Sequence, residues 1–340
     1  MLYCNPEQHT LQSLSFQVDE VNVMFLVDQW NENHPNNFTF YRPRTEGPVH
    51  LSGIDDEDED DIGYQTPHRI KTNKNSLLFI HQSATQKALL KRYGSMVLMD
   101  ATYRTCRLAL PLFMLAVKTN VAYIPIAIFI VETEDIESIQ EPLRILKGEW
   151  EKAGIRVPNF MVDFCQAEIT AIETVFPQST VFLCDFHRGQ AWSRWLRTKK
   201  HGCSSDYNEI MSYLKRMASA TTLTEYNQIF DEFTESEPYQ DRDMLRSYFS
   251  RWDKMREVRN TCICCGIPCK LPHIIKLLCH SQRWVLAFRT GLGLYDRTNN
   301  GLERLNFLLK CSFLNMRVNN TLSDLIDILM RVFIPTLIKM

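Results

Sequence analysis

A series of apolar runs in the middle of the chain constrains its fold more than any other feature. The runs occupy residues 96–99, 108–117, 123–131, 160–162 and 180–184. Apolar residues recur at three- and four-residue steps over 134–153 and again over 167–176, which indicates two helices between the later runs. The order βββαβαβ predicts an α/β fold, in which a mixed β-sheet is flanked by helices.

The first 75 residues lack such a pattern, and we expect residues 1–75 to be an irregular region. Residues 21–30 are consistent with a short strand or helix, and 38–41 with an extended piece. The region also contains an acidic tract at 55–61, which is expected to be solvated. Residues 71–75 have the composition of a linker.

Further helices are predicted before and after the apolar runs. Ser83 and Gln86 have the spacing of a capping box, so a helix is expected from Ser83 to Gly94. After His187 the strand pattern disappears, which predicts an all-helical insertion that protrudes from the sheet domain. A final helix is expected from Leu322 to a stop at Pro335. The predicted regions are 1–75, the first part of the core at 76–186, the insertion at 187–282, and the end of the core at 283–340.

Composition argues against a secreted, disulfide-rich protein and against a membrane protein. Eleven cysteines form no disulfide-like framework, and no charged-then-apolar signal sequence begins the chain, so a reducing intracellular compartment is expected. The apolar region 108–131 contains Pro111, Lys118 and Pro125, which suits two buried strands rather than a membrane span. No membrane partner is therefore expected. The net charge of -2 does not by itself indicate nucleic acid.

Acidic residues end two of the predicted strands. Asp100 follows the run 96–99, and Asp163 follows 160–162. Binding crevices in α/β sheets open beyond strand ends, and two neighbouring carboxylates repel each other unless cations neutralise them. Two Mg²⁺ or Mn²⁺ ions are the expected cofactors, because such ions take oxygen ligands and can promote phosphodiester displacement. The alternative is that each aspartate caps a turn or a helix.

A third carboxylate, Glu303, lies on a helix predicted from Asn299 to about Phe313. Glu303, Asn306 and Lys310 share one stripe of this helix at steps of three and four residues. The core side of the same helix is formed by Leu302, Leu305 and Leu309. A carboxylate, an amide and a cation are thus expected to face one cleft, unless this is an ordinary amphipathic surface helix.

Three motifs in this order resemble those of Mutator-like element (MULE) transposases. They are Val97–Tyr103, Phe160–Asp163 with the helix that ends at Pro177, and Asn299–Asn306 with Lys310. The resemblance covers roughly residues 76–338. It implies an RNase H-like fold and a DDE site made of Asp100, Asp163 and Glu303, which would hold the two metal ions.

The same resemblance implies an activity and its partners. We expect a DDE transposase that hydrolyses phosphodiesters at transposon ends and transfers strands to target DNA, acting in the nucleus as a homo-oligomer. MULE proteins also carry an N-terminal zinc-binding domain and often a C-terminal SWIM zinc finger, and neither motif is recognisable here. One alternative is therefore a domesticated, inactive nuclear protein that binds DNA or proteins, and another is a related RNase H-like nuclease.

Further residues are expected to contact DNA. Cys184 and His187 resemble the C/D-x-x-H motif of MULE and hAT-type transposases, which implies a position beside the DDE site. Basic residues interleaved with Trp192 and Trp195 suit phosphate contact and base stacking. The expected DNA contacts are Cys184, His187, Arg188, Arg194, Arg197, Lys199, Lys200, Asn306 and Lys310. A solvated helix face around core tryptophans explains the same pattern.

Structural zinc is an alternative use of the cysteines and histidines. Cys184 and His187 have the spacing of half a zinc site. Candidates for the other half are Cys165, His201 and Cys203. A second cluster, Cys262–His280, matches no zinc-module spacing, and three readings stay open for it: a zinc site, an inserted excursion, or a gene-model artefact.

Overall fold

The computed structural model describes residues 6–44, 76–254, 284–289 and 297–339. The acidic tract, the linker 71–75 and the Cys262–His280 cluster lie outside the described residues. Within the described ranges, no helix combines the length and apolarity needed to cross a membrane.

Seven strands form one mixed sheet. They are β1 (Phe38–Arg42), β2 (Leu78–Gln82), β3 (Val97–Thr102), β4 (Leu112–Lys118), β5 (Tyr123–Val131), β6 (Asn159–Val162) and β7 (Thr180–Leu183). Their order is β1-β2-β5-β4-β3-β6-β7. The pairs β3–β6 and β6–β7 are parallel, and the other neighbours are antiparallel. The predicted α/β fold with a mixed sheet is confirmed.

Helices connect and flank these strands in the part of the chain that the structure describes. They are α1 (Pro6–Asn33), α2 (Ala84–Tyr93), α3 (Ile136–Lys152), α4 (Gln166–Val175), α5 (Asp185–Arg197), α6 (Tyr207–Ser219), α7 (Leu223–Glu235), α8 (Glu237–Gln240), α9 (Asp243–Lys254), α10 (Asn300–Leu308), α11 (Leu322–Asp327) and α12 (Ile334–Lys339). The capping box of Ser83 and Gln86 is present at the start of α2. The described part of the expected insertion, up to residue 254, contains helices and no strand.

The N-terminal region is more regular than the sequence indicated. Instead of a mostly irregular segment, residues 6–44 contain the long helix α1 and the strand β1, which pairs with β2. The strand β2 was also not predicted. Its last two residues, His81 and Gln82, are polar but buried, because Thr39 and the carbonyl oxygen of Ile126 give them hydrogen-bond partners.

The two faces of the sheet pack against different sets of helices. The first face packs against α2–α7, α9 and the segment 284–289. The second face packs against α1, α10, α11, α12 and the turns next to them. Residues of β3 alternate between the two: Val97 and Met99 belong to the first cluster, and Leu98 to the second. Asp100 therefore lies on the second face, the one that α10 covers.

Helices of the insertion do not simply protrude from the sheet domain. The ring of Trp252 in α9 stacks on Phe164 with a centroid distance of 4.5 Å, and Trp192 in α5 packs edge-on to Trp252. Both tryptophans are fully buried in the first-face cluster. The insertion up to residue 254 thus shares one hydrophobic core with the first face of the sheet.

The C-terminal helical segment continues beyond the predicted stop at Pro335. After α11, a π-helical turn at Ile328–Phe333 leads into α12, whose second residue is Pro335. Proline is tolerated in the first turn of a helical segment, and here the wider turn before it relaxes the usual hydrogen-bond pattern. Pro335 is therefore accommodated without ending the helix.

A buried carboxylate ties α1 to the start of α11. Asp19 accepts hydrogen bonds from the backbone N–H groups of Leu322 (2.8 Å) and Ser323 (3.0 Å), and from the Ser323 hydroxyl (2.7 Å). Thr321 caps the next N–H of the same helix, that of Asp324. The unpaired donors at this helix N-terminus are thus satisfied largely by a residue that lies about 300 positions earlier in the chain.

We predict that Asp19→Ala lowers the free energy of unfolding by about 3 kcal/mol, because it leaves buried backbone donors without a charged acceptor. Asp28→Ala is the matched control, since Asp28 is exposed on the same helix. Chemical denaturation of both variants measures the difference. Equal stability of the two variants would show that Asp19 does not anchor α11.

Candidate metal-binding site at the β3–β6 edge

The register of two parallel strands sets the positions of the first two carboxylates. Val97 pairs with Phe160, and Leu98 pairs with Met161. If this register continues for two more residues, Asp100 lies opposite Asp163. Asp163 follows β6 directly, whereas Asp100 lies inside β3 rather than at its end, a correction to the predicted strand. Both residues continue the alternation of the second face, so both carboxylates point toward α10.

Helix α10 brings Glu303 to the same place. Gly301, in its first turn, lies against the ring of Tyr123 in β5, and a Cβ atom at this position would overlap that ring. The glycine thus allows α10 to approach the sheet closely. Asn299, just before the helix, donates a hydrogen bond from Nδ2 to Asp163 Oδ1. The third motif is therefore held against the second carboxylate.

His187 joins two of the three carboxylates. Its Nδ1 lies 2.6 Å from Asp163 Oδ1, and its Nε2 lies 3.2 Å from Glu303 Oε1. These contacts have the distances of ion pairs but not the angles of hydrogen bonds. Burial lowers the pKa of His187, but the contacts with Asp163 and Cys184 outweigh it and raise the pKa to about 10. The imidazolium thus offsets part of the negative charge of the acids.

Asp100 experiences the opposite effect. Burial, and then the charges of Asp163 and Glu303, raise the pKa of its carboxyl to about 7, although His187 lowers it. Asn306 donates a hydrogen bond from Nδ2 to Asp100 Oδ2 at 2.8 Å. Burial lowers the pKa of Lys310, and the nearby carboxylate of Asp100 partly opposes this shift. Asn306 and Lys310, two members of the predicted helical stripe, thus lie near Asp100.

Several polar atoms in this cleft lack a hydrogen-bond partner. They are Asn299 Oδ1, Glu303 Oε1 and Asn306 Oδ1. A buried oxygen without a donor loses hydration free energy, and a cation with oxygen ligands restores it. The carboxylates of Asp100, Asp163 and Glu303, with these unsatisfied oxygens beside them, therefore fit divalent cations.

Cys184 belongs to the same neighbourhood. Its thiol, one atom of His187 and one of Asp163 lie within 4.8 Å of one another. Cys184 is fully buried, and its Sγ accepts a hydrogen bond from the backbone N–H of Asn299 at 3.4 Å. His201 and Cys203, two candidates for a zinc site with this pair, bond instead to backbone carbonyls at the end of α5 and in the turn after it. Within the described ranges they are not grouped with Cys184.

Asp185 anchors the site although the sequence did not single it out. Its Oδ1 accepts from Arg188 (2.7 Å) and Arg289 (3.3 Å), and its Oδ2 accepts from Arg297 (2.8 Å). Arg188 also donates to the carbonyl oxygen of Trp284 and is almost fully buried. The expected phosphate contact does not fit this burial, so Arg188 acts as part of the internal ion-pair network.

The remaining basic residues after β7 are exposed. These are Arg194, Arg197, Lys199 and Lys200. The tryptophans between them are not available for base stacking, because Trp192 is buried and Trp195 stacks between Tyr248 and His201, at centroid distances of 3.9 and 4.3 Å. The segment therefore has an exposed basic face around packed tryptophans, so base stacking by these rings does not fit, whereas phosphate contact by the cations stays a prediction.

We predict that Asp100→Asn stabilises the metal-free protein above pH 7. The raised pKa means that the folded state holds more protons than the unfolded state between about pH 4 and 7, so wild-type stability falls as the pH rises through this window. Asparagine avoids the buried charge and can still accept from Asn306. The expected gain in Tm is about 5 °C at pH 8 and close to zero at pH 4. Thermal unfolding with a chelator present measures the Tm of both proteins. A variant less stable than wild type at pH 8 would contradict the conclusion that the ionised Asp100 carboxylate destabilises the metal-free protein.

One part of the chain is similar to a known protein family. A family model described as "Zinc finger SWIM domain-containing protein 1/3, RNaseH-like domain" matches residues 62–182. No match was found among curated proteins. The matched range contains β2 to β6, most of β7 and both aspartates, and it ends before the helix that carries Glu303. Sequence similarity and architecture agree that this chain contains an RNase H-like domain.

Proposed function

We propose that the protein is a DDE-type nuclease and strand transferase of the MULE transposase kind. The observation that carries the proposal is the convergence of Asp100, Asp163 and Glu303, three acids separated by more than 200 residues, in one cleft on the second face of the sheet. Its substrates would be transposon-end and target DNA, and it would act in the nucleus as a homo-oligomer.

Each side chain of the cleft has a distinct role in this proposal. Asp100, Asp163 and Glu303 would hold two divalent cations, Mg²⁺ or Mn²⁺, which supply an activated water and charge neutralisation at the phosphorus. Asn306 and Asn299 orient the two aspartates through their amide N–H groups. The exposed cations after β7 would bind phosphates and position the DNA.

A second candidate function is supported by the contacts of His187. Its ring lies between Asp163 and Glu303, so an imidazolium already neutralises acids that a catalytic metal would need as ligands. A domesticated protein that retains the fold to bind DNA or proteins, with this ion pair as a structural element, fits that observation. In an active enzyme, the metal ions would compete with the His187 imidazolium for Asp163 and Glu303. In a domesticated protein there would be no such competition, because no catalytic metal would bind.

We predict that the purified protein cuts DNA with Mg²⁺ or Mn²⁺ and that Asp100→Asn or Asp163→Asn reduces the rate by at least about 100-fold. The reason is that each substitution removes a charged metal ligand but keeps the shape of the side chain. Gel-based cleavage of a labelled duplex measures the rate, and Ca²⁺ is expected to support binding but little cleavage.

Asp231→Asn is the matched control for this experiment, because Asp231 is exposed on α7 and has no place in the cleft. It is expected to cut at the wild-type rate. Equal cleavage by wild type and the Asp100 variant would refute the DDE assignment. Binding without cleavage by every protein would favour the domesticated alternative.

DNA binding is predicted to depend on the exposed basic residues after β7. The double variant Arg194→Gln and Lys199→Gln should bind DNA more weakly, and the slope of log K against log salt should decrease by about 2, because two phosphate contacts are lost. Arg216→Gln is the control, since Arg216 pairs with Glu232 on the insertion surface. An unchanged slope in the double variant would show that DNA follows another path.

A further inference from the structure

A second group of potential ligands lies at the start of α4. One atom each from Glu134, Cys165 and Glu168 falls within 4.8 Å of the other two. Glu134 comes from the connection between β5 and α3, whereas Cys165 and Glu168 belong to the cap and first turn of α4. The group shares no residue with the three acids assigned to the DDE site.

The two glutamates of this group are held differently. Tyr103 donates its hydroxyl hydrogen to Glu134 Oε2, so this oxygen is fixed, and the other oxygen, Oε1, faces Cys165 Sγ at 3.6 Å. Glu168 is almost fully buried, and its Oε2 has no hydrogen-bond partner. A buried carboxylate oxygen without a donor is costly, and its unsatisfied atom points to a missing ligand.

The charges around Glu168 also favour a bound cation at this position. Burial, and then the charges of Asp100, Asp163 and Glu134, raise the pKa of its carboxyl well above the usual range. Within the part of the chain that the structure describes, no cationic side chain hydrogen-bonds to Glu168 or forms an ion pair with it. A bound cation would remove both the unsatisfied oxygen and the accumulated negative charge.

We propose that Glu134, Cys165 and Glu168 form a binding site for a thiophilic divalent cation of the zinc class. One thiolate and two carboxylates are ligands that zinc takes in proteins, and the thiolate favours zinc over Mg²⁺ or Ca²⁺. Tyr103 is a positioning residue, because its hydrogen bond orients Glu134 toward the cation. Glu134 and Cys165 are partly exposed, which leaves a route for the ion and room for a solvent ligand.

Binding releases a proton from the thiol, which becomes a thiolate bonded to the cation. Burial, and then the charge of Glu168, raise the pKa of the free thiol, so the bound cation has to displace this proton. The site does not depend on the proposed DNA chemistry. It would organise the loop between β6 and α4, next to Asp163, whether or not the protein cleaves DNA.

Cobalt is the probe for this site, because a cysteine thiolate bound to Co²⁺ gives a charge-transfer absorption band. The full-length chain is titrated with Co²⁺ and then with Zn²⁺, and the band and the number of bound ions are measured. Wild type is expected to bind one more ion than Cys165→Ser. Zn²⁺ is expected to displace Co²⁺ from this site and thereby to reduce the absorption band of the wild type. Glu168→Gln should lose the same ion, and Tyr103→Phe should bind it about tenfold more weakly.

Two control variants separate this site from other cysteines. Cys311→Ser replaces a partly exposed cysteine outside the group, and Cys184→Ser removes the thiol beside Asp163 and His187. Both are expected to keep the Cys165-dependent ion. The proposal is overturned if Cys165→Ser and Glu168→Gln bind as many ions as wild type, or if only Cys184→Ser removes the band. Circular dichroism checks each fold, and if Cys165→Ser is unfolded, Tyr103→Phe and Glu168→Gln decide the outcome.

Discussion

Parallel pairing of β3 with β6 is the constraint on which the candidate site depends. Its register puts Asp100 opposite Asp163 on one face of the sheet, where burial and mutual repulsion make two negative charges unfavourable. The neighbouring groups offset that cost: His187 contacts Asp163, and Asn306 donates to Asp100. The cleft is therefore organised around charge that a cation would neutralise further.

The ion-pair network of Asp185 determines where His187 can lie. Asp185 opens α5 and binds guanidinium groups from α5 itself, from the segment 284–289 and from Arg297, just before α10. These groups lie far apart in sequence, and the network fixes the start of α5 against the start of α10. His187, one half-turn later, consequently reaches both Asp163 and Glu303. The network therefore helps to hold the third acid near the other two.

Much of the fold could be predicted because its signals are local. The capping box at Ser83, the apolar run that became β5 and the spacing of α3 each depend on neighbouring residues. Prediction was wrong where distant contacts override local pattern. The polar end of β2 is buried by cross-strand hydrogen bonds, α1 is held by packing on the second face, and Pro335 is accommodated by a π-helical turn.

The sequence by itself determined which chemical groups are available and at what spacing: two aspartates after apolar runs, and a glutamate on a helix with Asn306 and Lys310. Only the tertiary structure decided how those groups meet. It buried Arg188 in an ion-pair network, put tryptophans into the core, and gathered Glu134, Cys165 and Glu168 at one helix start. Periodicity and capping act over a few residues, whereas desolvation and ion pairing depend on chain segments that only the completed sheet brings together.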